Sequence, residues 1–182
     1  MKELYILRQM LYCISLLSVM VSCSTDLQYT GDGSFIDNGL EAVNHRYILN
    51  LGEINLNQRN NYKFKLKNLP SKKFVIGFDF VFEKPTKIAY QPSETRPNNA
   101  IVSFKLMAND VVITTLNNEK INSLTWSQPA NNKNGAFVYS RNHSYFLPDN
   151  SKEYTLTFDV NKQNSKEKTY ITELVLRSGG WK

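Results

Sequence analysis

The sequence predicts an all-β protein: a single β-sandwich, of the jelly-roll or immunoglobulin-like type, with about eight or nine antiparallel strands after a cleaved signal peptide. Two observations lead to this fold class. From residue 45 onward, apolar and polar residues alternate with a period of two, as they do in half-buried strands, and turn-forming residues separate the alternating segments. In addition, no stretch after Cys23 shows the spacing of an amphipathic helix for three turns. The predicted domain covers residues 45–182.

Residues 1–22 have the features of a signal peptide. Lys2 and Arg8 make the start basic, and a mainly apolar run extends from Met10 to Val21. This run is shorter than the about 20 residues that a membrane-spanning helix needs. Its end, Met-Val-Ser followed by Cys23, resembles the lipobox of bacterial lipoproteins, which implies that Cys23 is lipidated and becomes the first residue of the mature chain. Plain secretion with an incidental cysteine and an uncleaved anchor are the alternatives.

Cysteine usage and charge restrict what the mature chain can do. The only cysteines are Cys13 and Cys23, so removal of the signal peptide leaves no disulfide, no cysteine-ligated metal and no free thiol nucleophile. No cofactor-binding constellation stands out elsewhere in the sequence, and we predict no cofactor. The net charge of +6 falls to about +5 in the mature chain, because the removed segment contains two basic residues and one acidic residue. A dispersed charge of this sign fits anionic lipid head groups, lipopolysaccharide phosphates or an acidic protein better than nucleic acid.

Residues 23–44 are predicted to form a flexible tether. Residues 30–34 and the pair Asn38-Gly39 are turn-formers without hydrophobic periodicity. Asp32, Asp37 and Glu41 do not have the spacing of an EF-hand loop, so we predict no metal site.

The alternation continues in order along the rest of the chain. Residues 73–83 are apolar on both faces, which indicates a central strand, and the Leu-Pro-Ser turn before them predicts a hairpin with residues 63–67. Three prolines between residues 84 and 99 exclude a central strand there. The predicted strands are residues 47–51, 62–66, 73–83, 101–107, 111–116, 136–140, 145–147, 154–160 and 170–177.

A row of lysines is the strongest surface feature. Side chains alternate between the two faces of a strand, so Lys63, Lys65 and Lys67 share one face. They are about 7 Å apart along the strand. They could contact phosphates or an acidic partner, or they could simply protect an edge strand from aggregation. The predicted basic binding face consists of Lys63, Lys65, Lys67, Lys72 and Lys73.

The sequence offers little for catalysis, and we predict that the protein is not an enzyme. His45 and His143 are the only histidines, and both lie among polar residues, which favours surface positions over a hydrolase triad. Asp79 lies in the most apolar strand. We expect it on a locally exposed face, since a buried carboxylate would need a Lys or Arg partner. Four aromatic residues do not follow the alternation of the strands and could stack on sugar rings: Trp126, Tyr139, Tyr145 and Trp181. Packing at the edge of the core is the favoured interpretation for them.

The mature chain resembles small proteobacterial lipoproteins of unknown function. The likeness lies in strand patterns: Tyr62-x-Phe64-x-Leu66, Ile101-x-x-Phe104-x-Leu106, Tyr145-Phe146-Leu147-Pro148 and Tyr154-x-Leu156. The resemblance assigns no catalytic residue. It implies a non-enzymatic, lipid-anchored protein of the cell envelope that faces the periplasm or the cell surface, with the outer membrane placed ahead of the inner one. We expect it to bind a periplasmic protein, for example a toxin, as immunity lipoproteins do. The alternative is a module that binds carbohydrate or envelope glycan.

Overall fold

The computed structural model describes residues 28–38, 47–82, 99–127, 135–162 and 170–178. The predicted signal peptide and Cys23 lie outside this part of the chain. Twelve strands are present in the described residues, together with one short 3-10 helix at Ile121–Ser123. The strands are β1 Thr30–Gly31, β2 Ser34–Asp37, β3 Tyr47–Glu53, β4 Asn60–Lys67, β5 Phe74–Phe82, β6 Ile101–Ala108, β7 Val111–Lys120, β8 Thr125–Ser127, β9 Gly135–Tyr139, β10 Tyr145–Phe146, β11 Glu153–Lys162 and β12 Tyr170–Ser178.

The strands form two antiparallel sheets. The five-stranded sheet has the order β1-β4-β11-β6-β7. The seven-stranded sheet has the order β2-β3-β12-β5-β9-β8, with β10 pairing to β5 beside β9. Their inner faces share one continuous hydrophobic core. The structure therefore confirms the predicted all-β sandwich. No helix among the described residues has the length and apolar character needed to cross a membrane.

The core is built from the inward-facing half of each strand. Phe158 on β11 meets Phe78 on β5 edge to face, with ring centroids 5.3 Å apart, so one aromatic pair joins the two sheets. The ring centroids of Phe74 on β5 and Phe146 on β10 are 6.0 Å apart. The alternation seen in the sequence is thus the alternation between core and surface. Other fully buried core side chains include Leu49, Leu66, Phe80, Leu106, Leu156 and Leu176.

Residues 28–38, which fall inside the predicted tether, are instead part of the sandwich. β1 pairs with the end of β4, and β2 pairs with β3 along all four of its residues. Phe35 supplies the physical reason, because its ring packs against the core and stacks on Tyr47 with centroids 5.6 Å apart. Gly31 and Gly33 have positive φ angles of 155° and 92°, a conformation that favours glycine. This requirement explains why a segment of the sandwich has the sequence of a turn.

The predicted hairpin of residues 63–67 with 73–83 is wrong. β4 belongs to the five-stranded sheet and β5 to the seven-stranded sheet, so the connection between them crosses the sandwich. Asn68, with a φ of 57°, turns the chain, and the side chain of Leu69 is completely buried. A buried residue in the connection fixes the crossing, whereas a hairpin turn would leave it in solvent.

Candidate functional site

Each sheet has an outer face, and the lysine row lies on that of the five-stranded sheet. Along β4, Lys63, Lys65 and Lys67 are exposed, while Phe64 and Leu66 between them pack on the core. The sequence prediction that these three lysines share one exposed face is therefore met by their positions. Whether the face binds anything remains a prediction.

The structure adds Lys105 to this surface. Thr157 on β11 lies opposite Lys63 on one side and opposite Lys105 on the other. Since neighbouring strands are about 4.8 Å apart, the backbones at these two lysines are separated by about 10 Å. Thr155 lies beside Thr157 on the same face, opposite Lys65. Short hydroxyl side chains thus occupy the centre of a surface with lysines on both sides. We call Lys63, Lys65, Lys67 and Lys105 the basic face.

Two acids lie on the same surface, and both have a polar partner. Glu153 forms an ion pair with Lys67. The hydrogen bond from Lys67, followed by the charges of Lys67 and Lys65, lowers the pKa of Glu153. Asp159 accepts a hydrogen bond from the side chain of Asn61. Among the described residues, no ion pair involves Lys63, Lys65 or Lys105, so the basic face has an excess of positive charge.

The other two lysines of the predicted binding face lie elsewhere. Lys72 is exposed in the connection before β5. Lys73 places its ammonium nitrogen 4.3 Å from the ring centroid of Tyr145, a cation–π contact on the outer side of the seven-stranded sheet. The structure therefore does not bring these two lysines to the same surface as Lys63, Lys65 and Lys67.

The outer face of the seven-stranded sheet contains a buried ion pair. Arg177 on β12 donates from Nη2 to Oδ2 of Asp79 on β5, and the two side chains are only 10% and 17% exposed. The expectation that Asp79 faces solvent is thus wrong. Arg177 also lies over the ring of Phe137, 5.0 Å from its centroid. Burial raises the pKa of Asp79, and the neighbouring Arg177 offsets part of this effect.

This ion pair leaves one polar atom unused on each partner. Within the described part of the chain, Oδ1 of Asp79 and Nε of Arg177 are buried without a hydrogen-bond partner. One accepts and the other donates, so a hydroxyl group or an ordered water could bridge them. The chemistry of this position suits a small polar group. Glu173 on β12 is the direct cross-strand neighbour of Asp79, and its charge adds to the effect of burial in raising the pKa of Asp79.

Gly77 allows Phe137 to cover the sheet beside the ion pair. A Cβ atom at Gly77 would lie 2.5 Å from Cε2 of Phe137 and 2.6 Å from the backbone oxygen of Val138. Phe137 and Tyr139 stack at 5.4 Å, and together with Val75 and Val175 they form a second, smaller hydrophobic cluster on this outer face. The aromatic ring therefore replaces the side chain that the glycine lacks.

The aromatic residues considered for sugar binding fall into two groups. Trp126 belongs to the core edge, since it stacks on Phe80 at 5.0 Å and donates its Nε1 hydrogen to the carbonyl of Ile121. Tyr139 is buried, and half-buried Tyr145 meets it at an interplanar angle of 86° on the outer face of the seven-stranded sheet. Trp181 lies outside the described residues.

The remaining candidates contribute no cluster. His143 is exposed in the turn between β9 and β10, as the sequence predicts, and His45 lies outside the described residues. Across residues 28–38, 47–82, 99–127, 135–162 and 170–178, no three His, Cys, Asp or Glu side chains come together in a way that could hold a metal ion.

Sequence reasoning missed Lys105 and Arg177. The alternation within β6 places Lys105 outward, and that signal was present. Its relation to Lys63, however, depends on β11 lying between β4 and β6, which no local pattern encodes. Arg177 is 98 residues from Asp79 in the chain. Its pairing likewise depends on β12 being the neighbour of β5.

The chain matches no known protein-family model and no curated protein sequence. Among solved structures, it is similar to the crystal structure of CBM27-1 from Caldicellulosiruptor saccharolyticus in complex with mannohexaose. The sequence identity is 17% and the TM-score is 0.42, with 81% of this chain and 82% of that chain covered. A likeness at this level assigns no ligand and no residue role to the present chain.

Proposed function

We propose that this chain is a non-enzymatic, lipid-anchored protein of the bacterial cell envelope that binds an acidic protein partner in the periplasm. Its contact surface is the basic face of the five-stranded sheet. An immunity-type role against a delivered toxin is one form of this function. The excess of lysines around Thr157 is the observation that supports the proposal.

The geometry of the basic face suits a protein better than a single phosphate. Lysines repeat about 7 Å apart along β4 and about 10 Å apart across the sheet. Acidic side chains at alternate positions of an extended segment have the same 7 Å repeat. The threonines between the lysines are short, so a partner surface can approach closely. Complementary charge of this kind raises the association rate and selects the partner.

Reversing the charge of Lys105 should weaken partner binding. We expect Lys105→Glu to lower the association rate constant for the partner at least about tenfold at low salt, with a smaller difference at high salt. The partner is recovered on the tagged full chain from envelope extracts, and its binding is then measured by biolayer interferometry at two salt concentrations.

Lys72→Glu is the matched control, because it makes the same charge change at an exposed lysine away from the basic face. It should bind as the wild type does. Equal binding by the two variants would show that the basic face is not the contact surface. If the chain binds glycan instead of a protein, and this binding requires Tyr145, the result would support the carbohydrate-binding alternative. The candidate site for that alternative is the Tyr139–Tyr145 pair beside the Asp79–Arg177 ion pair.

The lipid anchor is tested at Cys23. Cys23→Ser should accumulate as an unprocessed precursor that incorporates no labelled palmitate, because the thiolate is the nucleophile that accepts the lipid. Cys13→Ser should be processed and labelled as the wild type is, since Cys13 lies within the predicted signal peptide. Normal processing and labelling of Cys23→Ser would refute the anchor. Immunoblots and palmitate labelling of whole cells give the measurement.

A further inference from the structure

The described residues begin at one end of the sandwich. Asn68 holds them there, because its Nδ2 donates to the carbonyl of Gln28 at 3.4 Å and to Oγ1 of Thr30 at 3.2 Å. We call this end, which contains Gln28, Thr30 and Asn68, the anchor end. Gln28 follows Cys23 by five residues. Five residues of fully extended chain span about 18 Å at most, so a lipid on Cys23 keeps the anchor end within that distance of the membrane surface.

The strand pairing places the turn between β6 and β7 at the anchor end. β11 begins opposite the last residue of β4, which is also where β1 pairs. The second residue of β11, Tyr154, lies opposite Ala108 at the end of β6. Ala108 in turn lies opposite Val111, the first residue of β7. Val111 and Val112 therefore lie close to the point where the chain leaves for Cys23.

The turn that leads into β11 lies at the same end. Leu147 follows Phe146, and the ring centroids of Phe146 and Tyr154 are 6.0 Å apart. The hydroxyl of Thr114 on β7 donates to the carbonyl of His143, which holds β7 against the segment that leads to Leu147. The positions of Leu147 and of the start of β7 are thus fixed relative to each other.

The three most exposed large apolar side chains of the described residues all lie at the anchor end. They are Leu147, Val111 and Val112, which are 69%, 62% and 51% exposed. Single exposed apolar side chains are ordinary on a protein surface. These three, however, share the end that the predicted lipid brings to the membrane, and an apolar surface held at that distance can enter the lipid boundary.

The charges at the anchor end are balanced. Lys67 pairs with Glu153, and Lys152 pairs with Asp149. The exposed lysines at positions 72 and 73 are matched in number by two exposed aspartates, at positions 37 and 110. Charge at this end therefore does not select an anionic surface, and the apolar side chains are the groups that favour contact with lipid.

We propose that the anchor end lies against the membrane surface, with Leu147, Val111 and Val112 in the boundary between lipid head groups and acyl chains. This inference rests on the lipid anchor of the proposed function. It adds a second, non-covalent contact with the membrane, which orients the domain. The strands of the five-stranded sheet then extend away from the membrane, so the basic face stays open to a protein partner.

The depth of a fluorophore in the membrane tests this contact with the mature full-length lipoprotein. A cysteine in place of Leu147 is its only free thiol, because Cys13 is removed with the signal peptide and Cys23 carries the lipid. The Leu147→Cys variant is purified in detergent, labelled with the fluorophore NBD and reconstituted into phosphatidylcholine vesicles. Lipids with a nitroxide on the acyl chain then quench NBD that lies in the boundary region.

Ile171→Cys is the matched control, because Ile171 is also apolar and 48% exposed. It lies near the start of β12, whereas the last residue of β12 pairs with Phe74 beside Phe146 at the anchor end. We expect quenching at position 147 to be at least about threefold stronger than at position 171. Adding Val111→Asp to the labelled Leu147→Cys chain should lower this quenching at least about twofold, since it introduces a charge into the lipid contact.

Replacing part of the phosphatidylcholine with anionic phosphatidylglycerol should leave the quenching unchanged. Equal quenching at positions 147 and 171, or quenching that requires phosphatidylglycerol, would overturn the proposal. A shift of NBD emission at position 147 without quenching by lipid would overturn it in favour of contact with a protein or a second copy. Flotation separates the two failures: a chain that does not float with the vesicles refutes the anchor and this inference together, whereas a chain that floats without quenching at position 147 refutes this inference alone.

Discussion

Arg177→Met is expected to destabilise the folded domain by about 3–5 kcal/mol, because it leaves a buried carboxylate without its counter-charge. The partner that remains, Asp79, is 17% exposed and lies beside the aromatic ring of Phe137. Methionine keeps most of the aliphatic length of arginine, so the loss reports the charge and its hydrogen bond rather than a cavity. Urea unfolding followed by tryptophan fluorescence measures the difference.

The pH dependence of this loss has a defined sign. Burial raises the pKa of Asp79 in the folded protein, and removal of Arg177 removes an influence that lowers it. When the pKa of a carboxyl group is higher in the folded state than in the unfolded state, its protonated form stabilises the folded state at low pH. This stabilisation is complete below the unfolded pKa and is lost as the pH rises through the folded pKa. The gap between wild type and Arg177→Met should therefore narrow from about pH 7 to about pH 4, where unfolded aspartate begins to protonate.

Two further variants separate the charge from its surroundings. The double variant Asp79→Leu/Arg177→Met should recover most of the stability, because an apolar pair of similar volume leaves no uncompensated charge. Lys67→Met, which breaks the exposed pair with Glu153, should leave the unfolding midpoint nearly unchanged. A loss below about 1 kcal/mol for Arg177→Met, or a gap that does not change with pH, would contradict this account.

The alternation of the sequence was sufficient to predict the fold class and which side chains of a strand share a face. It placed Lys63 and Lys65 together because that relation lies within one strand. It could not place Lys105 or Arg177, because each meets its neighbours across the sheet, at a strand order that is decided by packing of the whole core. The functional surfaces of a sandwich are assembled from distant segments, so they are visible only when strand order is known.

Two local signals were misleading for the same reason. The turn-formers around Gly31 and Gly33 indicated a tether, yet Phe35 beside them reaches the core and stacks on Tyr47. The Leu-Pro-Ser turn indicated a hairpin, yet Leu69 is buried in the crossing between sheets. In both segments a single apolar side chain decides the path of the chain. The hydrophobic contribution of one buried side chain, about 1.5–3 kcal/mol, outweighs local turn preferences.

Phe158→Ala should also cost about 3–5 kcal/mol, because it removes a completely buried ring at the centre of the sandwich. Phe158 on β11 packs against Phe78 of the other sheet and lies 6.0 Å from Tyr62 of its own sheet, measured between ring centroids. The variant therefore leaves a cavity that neither sheet can fill without separating from its own neighbours. The midpoint of urea or thermal unfolding measures the effect.

Phe64→Ala is the matched control, since it deletes the same atoms from a half-buried ring on the adjacent strand β4. Solvent can occupy part of the space that this ring leaves, so its cost should be clearly smaller. A larger loss of stability for Phe64→Ala than for Phe158→Ala would contradict the prediction. It would mean that the packing that joins the sheets is centred on β4 rather than on β11. The basic face and the buried ion pair lie on opposite outer faces, so their geometry depends on this contact holding the two sheets in place.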